Sequence, residues 1–487
     1  MDARTNLTRS AALHAVVCLA IGCGASACTR ESGTETVERT PDCPETRRVE
    51  PPLIHVRPEQ QALEYWLARA EEYGRLDDAL LDAEGVLRHN QALQTRVDGD
   101  PLGQVDLAVP VDPAHLEIQV RERIDYLREK IVAGDLVDEH GTAVPEGLVA
   151  RLEAPDAIAL SPTWRRAAAL KPLRCGPLAS GLYTVPVDTD FDRNRCSTIR
   201  PGEVVELLGE WGDGLFLART PYTMGWIDDE DLSAPLPVAA LDPPADAPAR
   251  EFTRRNVLTE AFSLLGAPYG WGGKDGGYDC SRFLLELFGR FGIRLPRHSA
   301  RQALAGTFSI DVSEVEPDEK RLLLEAAARR GITLMQFPGH IMLYLGTTED
   351  GTPMAMHSFS EYLTACDGGD LETVNRVDRV AISDLTLGEG SSRGDFLSRV
   401  TRITVIGSAP GPALVADAVV RSAAPIIPPA GQCRDSQRHA IFRSPLRPHA
   451  SQPMRVVATS ATNPGVVTLQ LFDPEGKPVD ARETVLD

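Results

Sequence analysis

Residues 269–299, YGWGGKDGGYDCSRFLLELFGRFGIRLPRHS, constrain the fold more than any other stretch of the chain. Phe283, Leu284, Leu287, Phe288 and Phe291 recur at the spacing of one helix face. The pattern predicts an α-helix that opens at or near Cys280 and ends at Gly292. A thiol in the first turn of a helix sees its positive pole and its unpaired N–H groups, and both favour thiolate. The preceding GWGGKDGG lets the backbone approach a substrate closely, and without a GK[ST] ending it is no phosphate loop. A helix-starting cysteine by itself is more often structural than catalytic. A nucleophile needs a base.

Two histidines supply candidates. FPGHIMLYLG, residues 337–346, reads as an apolar strand headed by His340. TTEDGT reads as a turn, and PMAMHSF, residues 353–359, as a return strand carrying His357. In an antiparallel hairpin, parity decides which side chains share a face. A turn centred between Asp350 and Gly351 sets His357 opposite Tyr344, with the imidazoles about 13 Å apart along the strand. A turn centred between Glu349 and Asp350 sets it opposite Met342, about 7 Å from His340. Only the second lets the rings touch, so the expectation is the wider turn or a bulge that shortens the gap. A mixed α+β domain follows over residues 252–408.

The rest of the 487 residues reads as further domains. Residues 53–165 form a helical N-terminal region, in which Leu63, Trp66, Leu67 and Ala70 share one face. Residues 166–235 change to short strands split by Gly-Asp and Gly-Glu turns, and GDG followed by GWI resembles bacterial SH3-like β-barrels. A proline-rich linker covers 236–251, a second linker 409–430, and 431–487 form a β-rich, sandwich-like C-terminal segment. The segment 307–336, between helix and hairpin, is either a lid or plain packing.

The formal net charge is -20 and no Lys/Arg run occurs, which argues against nucleic acid as a partner. Residues 1–28 carry Arg4 and Arg9, then a broken apolar run too weak to span a membrane, which fits a signal peptide. ASAC at Cys28 and AIGC at Cys23 resemble a lipobox. Cys28 is favoured because a polar tether, residues 29–52, follows it. The chain is therefore expected to be exported to the bacterial cell envelope and held at the membrane by an N-terminal lipid anchor only. Export permits disulfides. Of the nine cysteines, Cys175 and Cys196 fall in one small domain and are the single pair selected. No metal-ligand spacing appears, and no cofactor is expected.

GAPYGWGGKDGGYDCSRFLLELFGRFGIRLPRHSARQ, followed by GHIMLYLG and a further histidine, resembles the NlpC family of papain-like cell-wall cysteine peptidases. The resemblance covers about residues 253–408. With the helical region and SH3-like barrel it is similar to the multidomain branch, which cuts the γ-D-glutamyl–diamino-acid bond of peptidoglycan stem peptides. It implies Cys280 as nucleophile, His340 as general base and His357 as its orienting partner. It implies an oxyanion site at the Cys280 N–H with Tyr269, and a contact of Asp279 and Ser281 with a free N-terminal L-Ala amine. Asp279 also fits a helix N-cap, and Ser299 and Gln302 fit bracing roles. Peptidoglycan peptides or muropeptides are the implied partners. Two alternatives stand beside this one: a non-catalytic wall-binding lipoprotein, and an acyltransferase using the same Cys/His site.

Overall fold

A computed structural model describes residues 43–407, apart from 95, 98–99, 156, 242–249 and 367–370, and the backbone of four later strands. Residues 1–42, with the signal and lipobox readings at Cys23 and Cys28, and residue Cys433 lie outside the described residues. No described helix is long and apolar enough to cross a membrane.

Seven strands form the sheet that carries both histidines. Their order is Thr46–Arg48, Glu372–Asp384, Pro353–Ala365, His340–Thr347, Gly331–Phe337, Arg402–Gly407 and Phe308–Asp311. All neighbours are antiparallel except the first, which pairs parallel to Glu372–Asp384. Gly331–Phe337 is buried throughout, as is His340–Thr347 beyond its first residue. These strands are therefore covered on both faces and read as continuous apolar runs. Helix Cys280–Gly289 packs on them through the anticipated face, with Phe283, Leu284, Leu287, Phe288 and Phe291 all fully buried. The helix proper stops at Gly289, and the chain turns at Gly292 with φ +72°.

Two hydrophobic cores divide the helical region. Leu53, Trp66, Tyr73, Val86 and Leu93 join the core of the seven-stranded sheet. Leu116, Val120, Ile124 and Leu127 of helix Pro113–Val132 instead pack with Leu208, Leu217 and Trp226. The region read as one over 53–165 thus serves two bodies. Part of the 29–52 tether is also incorporated: Thr46–Arg48 adds an edge strand, and Cys43 is disulfide-bonded to Cys366. That pair spans 323 residues. Segment 307–336 supplies an edge strand, helix Pro317–Arg330 and a central strand, with Leu324 and Ala327 fully buried, so it is packing and not a lid.

Residues 163–228 form a six-stranded antiparallel sheet, ordered Thr163–Arg166, Val204–Gly212, Leu215–Arg219, Met224–Asp228, Lys171–Arg174, Arg195–Ile199. Its first and last strands do not pair with each other among the described residues, so the expected barrel is not closed. Cys175 and Cys196 form the selected disulfide within it. Beyond residue 438, His439–Ser444 pairs with Arg455–Ser460, and Val466–Phe472 with Pro478–Val485.

The histidine hairpin contains a bulge. Thr347 faces Pro353 and Gly346 faces Met354, yet Tyr344 faces Ala355 and Leu343 faces Met356, so Leu345 is the extra residue. Continued by one step, this register puts Met342 opposite His357, the arrangement that brings the rings together. The bulge is held from outside the sheet. The Tyr73 hydroxyl accepts from the Thr347 N–H at 2.9 Å, and the Arg69 guanidinium donates to the Thr347 carbonyl at 3.0 and 2.7 Å. Gly346 has φ +138°, and a Cβ there would come within 3.1 Å of the Tyr73 ring. Tyr73→Phe leaves a buried N–H without its acceptor. It is expected to cost about 1–3 kcal/mol in urea denaturation; an unchanged midpoint would contradict the clamp.

Candidate active site

Asp279 caps helix Cys280–Gly289. Its Oδ1 accepts from the Arg282 N–H at 2.8 Å, an N-cap bond. The same carboxylate is bridged by Arg297: Nη1 donates to Oδ1 at 2.9 Å, and Nη2 pairs with Oδ2. Ser281 Oγ accepts from Arg297 at 2.7 Å and donates to Asp279 at 3.2 Å. Burial alone would raise the Asp279 pKa, but the Arg297 ion pair and these hydrogen bonds hold it below the ordinary carboxylate value. Its contribution to stability is complete above the ordinary carboxylate range and fades as pH falls through the lowered value. Asp279 and Ser281, expected to meet a substrate amine, thus have their polar atoms engaged within the protein.

Cys280 follows, half-buried and the only free cysteine among the described residues. Its Sγ lies 4.0 Å from the Gly339 carbonyl oxygen, and the Ile341 N–H also acts on it. The sulfur therefore rests against the backbone flanking His340. Burial, then the Asp279 carboxylate, push the thiol up to about 12, against the opposing N–H groups of Ile341 and Ser281. The helix pole expected to ionise the sulfur is outweighed. Burial is the larger cause, and the capping carboxylate that orders the helix adds a negative charge beside the thiol.

His340 Nε2 lies 2.7 Å from His357 Nδ1, and His357 Nε2 lies 2.9 Å from Ser383 Oγ. His357 is fully buried and stacked on Phe359 at a centroid distance of 4.0 Å. Burial, followed by the charge of Arg399, lowers His340 to about 3, and burial lowers His357 well below its ordinary value. Both rings rest neutral at pH 7. With Nε2 of His340 engaged, Nδ1 is the nitrogen left for the thiol. Tyr269 shares the groove, and burial and then the Asp279 charge keep its hydroxyl protonated.

The glycine run has a different task from the one expected. A Cβ on Gly272 would meet Arg195 at 2.7 Å, and one on Gly273 would meet Thr198 at 3.1 Å. Thr198 Oγ1 donates to the Gly272 carbonyl at 2.9 Å, and Trp271 Nε1 donates to the Asp192 carbonyl at 2.9 Å. The close backbone approach is made to the six-stranded sheet, whose Ser197 also accepts from Arg297 Nε at 3.0 Å. Gln302 donates to the Ser281 and Pro296 carbonyls at 2.8 Å each and braces the loop; Ser299 is buried beside it. Sequence reasoning missed Ser383 and Ser197. Both are small, fully buried hydroxyls on strands with no motif of their own, and only the three-dimensional pairing distinguishes them from packing residues.

A groove of about 1820 Å³ contains Cys280 and His340. Helix Pro113–Val132 and the six-stranded sheet line one part, and Phe359, Glu361, Arg376 and Arg399 another. No cluster able to hold a metal occurs among the described residues.

Residues 266–365 match the NlpC/P60 family. The chain is 35% identical over 80 residues to a probable endopeptidase of Mycobacterium bovis, covering 16% of this chain and 20% of that protein. It is 40% identical over 55 residues to the gamma-D-glutamyl-L-lysine dipeptidyl-peptidase of Bacillus subtilis, covering 11% and 19%. It thus spans about a fifth of the length of these curated relatives. An NlpC/P60 endopeptidase from Photobacterium damselae subsp. piscicida superposes with a TM-score of 0.51 at 18% identity, over 69% of this chain and 96% of that one, which shows a shared fold. The match to the NlpC/P60 family is carried by residues 266–365, with the Cys280 helix and the strand bearing His357 inside them.

Proposed function

We propose that the chain is a cysteine endopeptidase of peptidoglycan stem peptides, cutting the γ-D-glutamyl–diamino-acid bond through a thioester on Cys280. One observation carries the reading: the thiol sits at a helix start against the strand whose His340 is bonded at 2.7 Å to His357. The matched relatives, a probable endopeptidase and a γ-D-glutamyl-L-lysine dipeptidyl-peptidase, support the substrate class.

The chemistry follows from the hydrogen-bond directions. His340 Nδ1 takes the thiol proton as sulfur attacks the γ-carbonyl carbon, so Nε2 carries the other proton and donates it to His357 Nδ1. His357 then holds its proton on Nε2 and donates to Ser383 Oγ. The imidazolium formed on His340 returns its proton to the leaving amine, and water attacks the thioester with His340 again as base. The Cys280 N–H and the protonated Tyr269 hydroxyl are the donors for the oxyanion. Because thiol and imidazole both rest neutral, the proton moves during attack, as in a hydroxyl-based triad, and no thiolate–imidazolium pair stands ready beforehand. On this reading the chain works at the cell envelope, anchored through a lipid on Cys28 or Cys23, and the six-stranded sheet orders the glycine loop.

Cys280→Ala is expected to abolish cleavage of L-Ala-γ-D-Glu-diaminopimelate peptides followed by mass spectrometry; retained turnover, or scission at another bond, would contradict the proposal. The raised thiol pKa carries a second expectation. The thiolate fraction of a group near 12 grows tenfold per pH unit throughout the neutral range. Iodoacetamide labelling of the Cys280 peptide should therefore keep climbing from pH 6 to pH 9. A plateau reached by pH 6 would mean that an ion pair exists in the free enzyme.

A further inference from the structure

Arg399 closes the short helix Phe396–Arg399 and lies half-buried in the groove wall. Its guanidinium carbon stands 4.0 Å from the Phe337 ring centre and 5.7 Å from that of Phe396. The same two rings pack against His340 at 5.2 and 6.1 Å. Among the described residues, no hydrogen bond or ion pair joins the Arg399 guanidinium to a partner. The neighbouring carboxylates are occupied. Asp395 caps the helix through the Ser398 N–H at 2.8 Å, Glu361 pairs with Arg376 and Arg393, and Asp279 pairs with Arg297.

A fixed cation beside the general base opposes the imidazolium that the reaction must form. Such a placement is harmful unless the substrate brings the counter-charge. A guanidinium held over an aromatic ring still has its N–H donors to offer a planar, two-oxygen acceptor. When a glutamyl residue is joined through its γ-carbonyl, its α-carboxylate remains free and travels with the acyl half of the scissile amide.

Resting on the peptidase reading above, we propose that Arg399 is a specificity residue that binds the free α-carboxylate of the γ-glutamyl acyl donor. The bound carboxylate cancels the guanidinium charge beside His340 just when the proton must arrive there. Binding and proton transfer are thereby coupled, and a substrate without the anion forfeits both.

The test uses two stem peptides that differ only at this group, one with the γ-glutamyl α-carboxylate free and one with it converted to the carboxamide. The full-length protein is expected to prefer the acid by about tenfold or more in kcat/KM. Arg399→Met, which keeps apolar contact with the rings, should lower the acid's value and close most of that gap. Arg399→Lys, retaining charge without the planar fork, should keep part of it. Equal rates on acid and amide by the unaltered protein would overturn the proposal, and so would a preference that survives in Arg399→Met. Should the methionine variant fail to fold, the ratio measured on the unaltered protein still decides. Cleavage of neither peptide would instead overturn the peptidase reading itself, and the role of Arg399 with it.

Discussion

The buried pairing of Asp279 with Arg297 ties together parts of the chain that are remote in sequence. The carboxylate starts the helix that presents Cys280. The guanidinium that neutralises it is held by Ser281 on one side and, through Nε, by Ser197 of the six-stranded sheet on the other. Loss of one member of such a pair strands the other charge away from water, at a cost of about 3–5 kcal/mol. The pair therefore fixes the helix that presents Cys280, and it does so only while the two bodies stay docked. The sheet serves as a scaffold of the site, whatever else it binds.

A second constraint acts on the two histidines. His340 and His357 are separated by 17 residues along the chain, and their contact exists because Leu345 is extruded from the ladder. Tyr73 and Arg69 grip the strand beside that extra residue. Helix Leu63–Ala70, which carries no candidate catalytic group, is thus connected to the alignment of the imidazoles. Docking of the N-terminal helices into the sheet's core gives them this leverage.

Much of this was legible in the chain before folding. The apolar period after Cys280 identified the helix and its buried face; parity put both histidines on one face in either register, and ring contact required the one with Met342 opposite His357. What stayed hidden is nonlocal. The glycine run showed that backbone would come close to something, but the partner, Arg195 and Thr198, lies about 75 positions away in a different sheet. Asp279 displayed its negative charge in sequence, whereas its neutralisation by Arg297 depends on how the LPR segment folds back. The ionisation of Cys280 was misjudged for the same reason: a helix pole is local and readable, while desolvation and the orientation of a capping carboxylate are properties of the assembled site. The Cys43–Cys366 bond and the edge strand at Thr46–Arg48 were concealed because nothing in a polar tether announces that it will be captured by a sheet.

The central claim of the proposed mechanism is electrostatic: a neutral thiol gives its proton to a neutral His340, which is joined by hydrogen bonds through His357 to Ser383. Nitrogen-15 correlation spectra of histidine-labelled protein, assigned with single histidine variants, observe this state directly. The account predicts that at pH 7 both His340 and His357 are neutral and carry their proton on Nε2. A His340 resonance characteristic of imidazolium, or of the Nδ1–H tautomer, would contradict it.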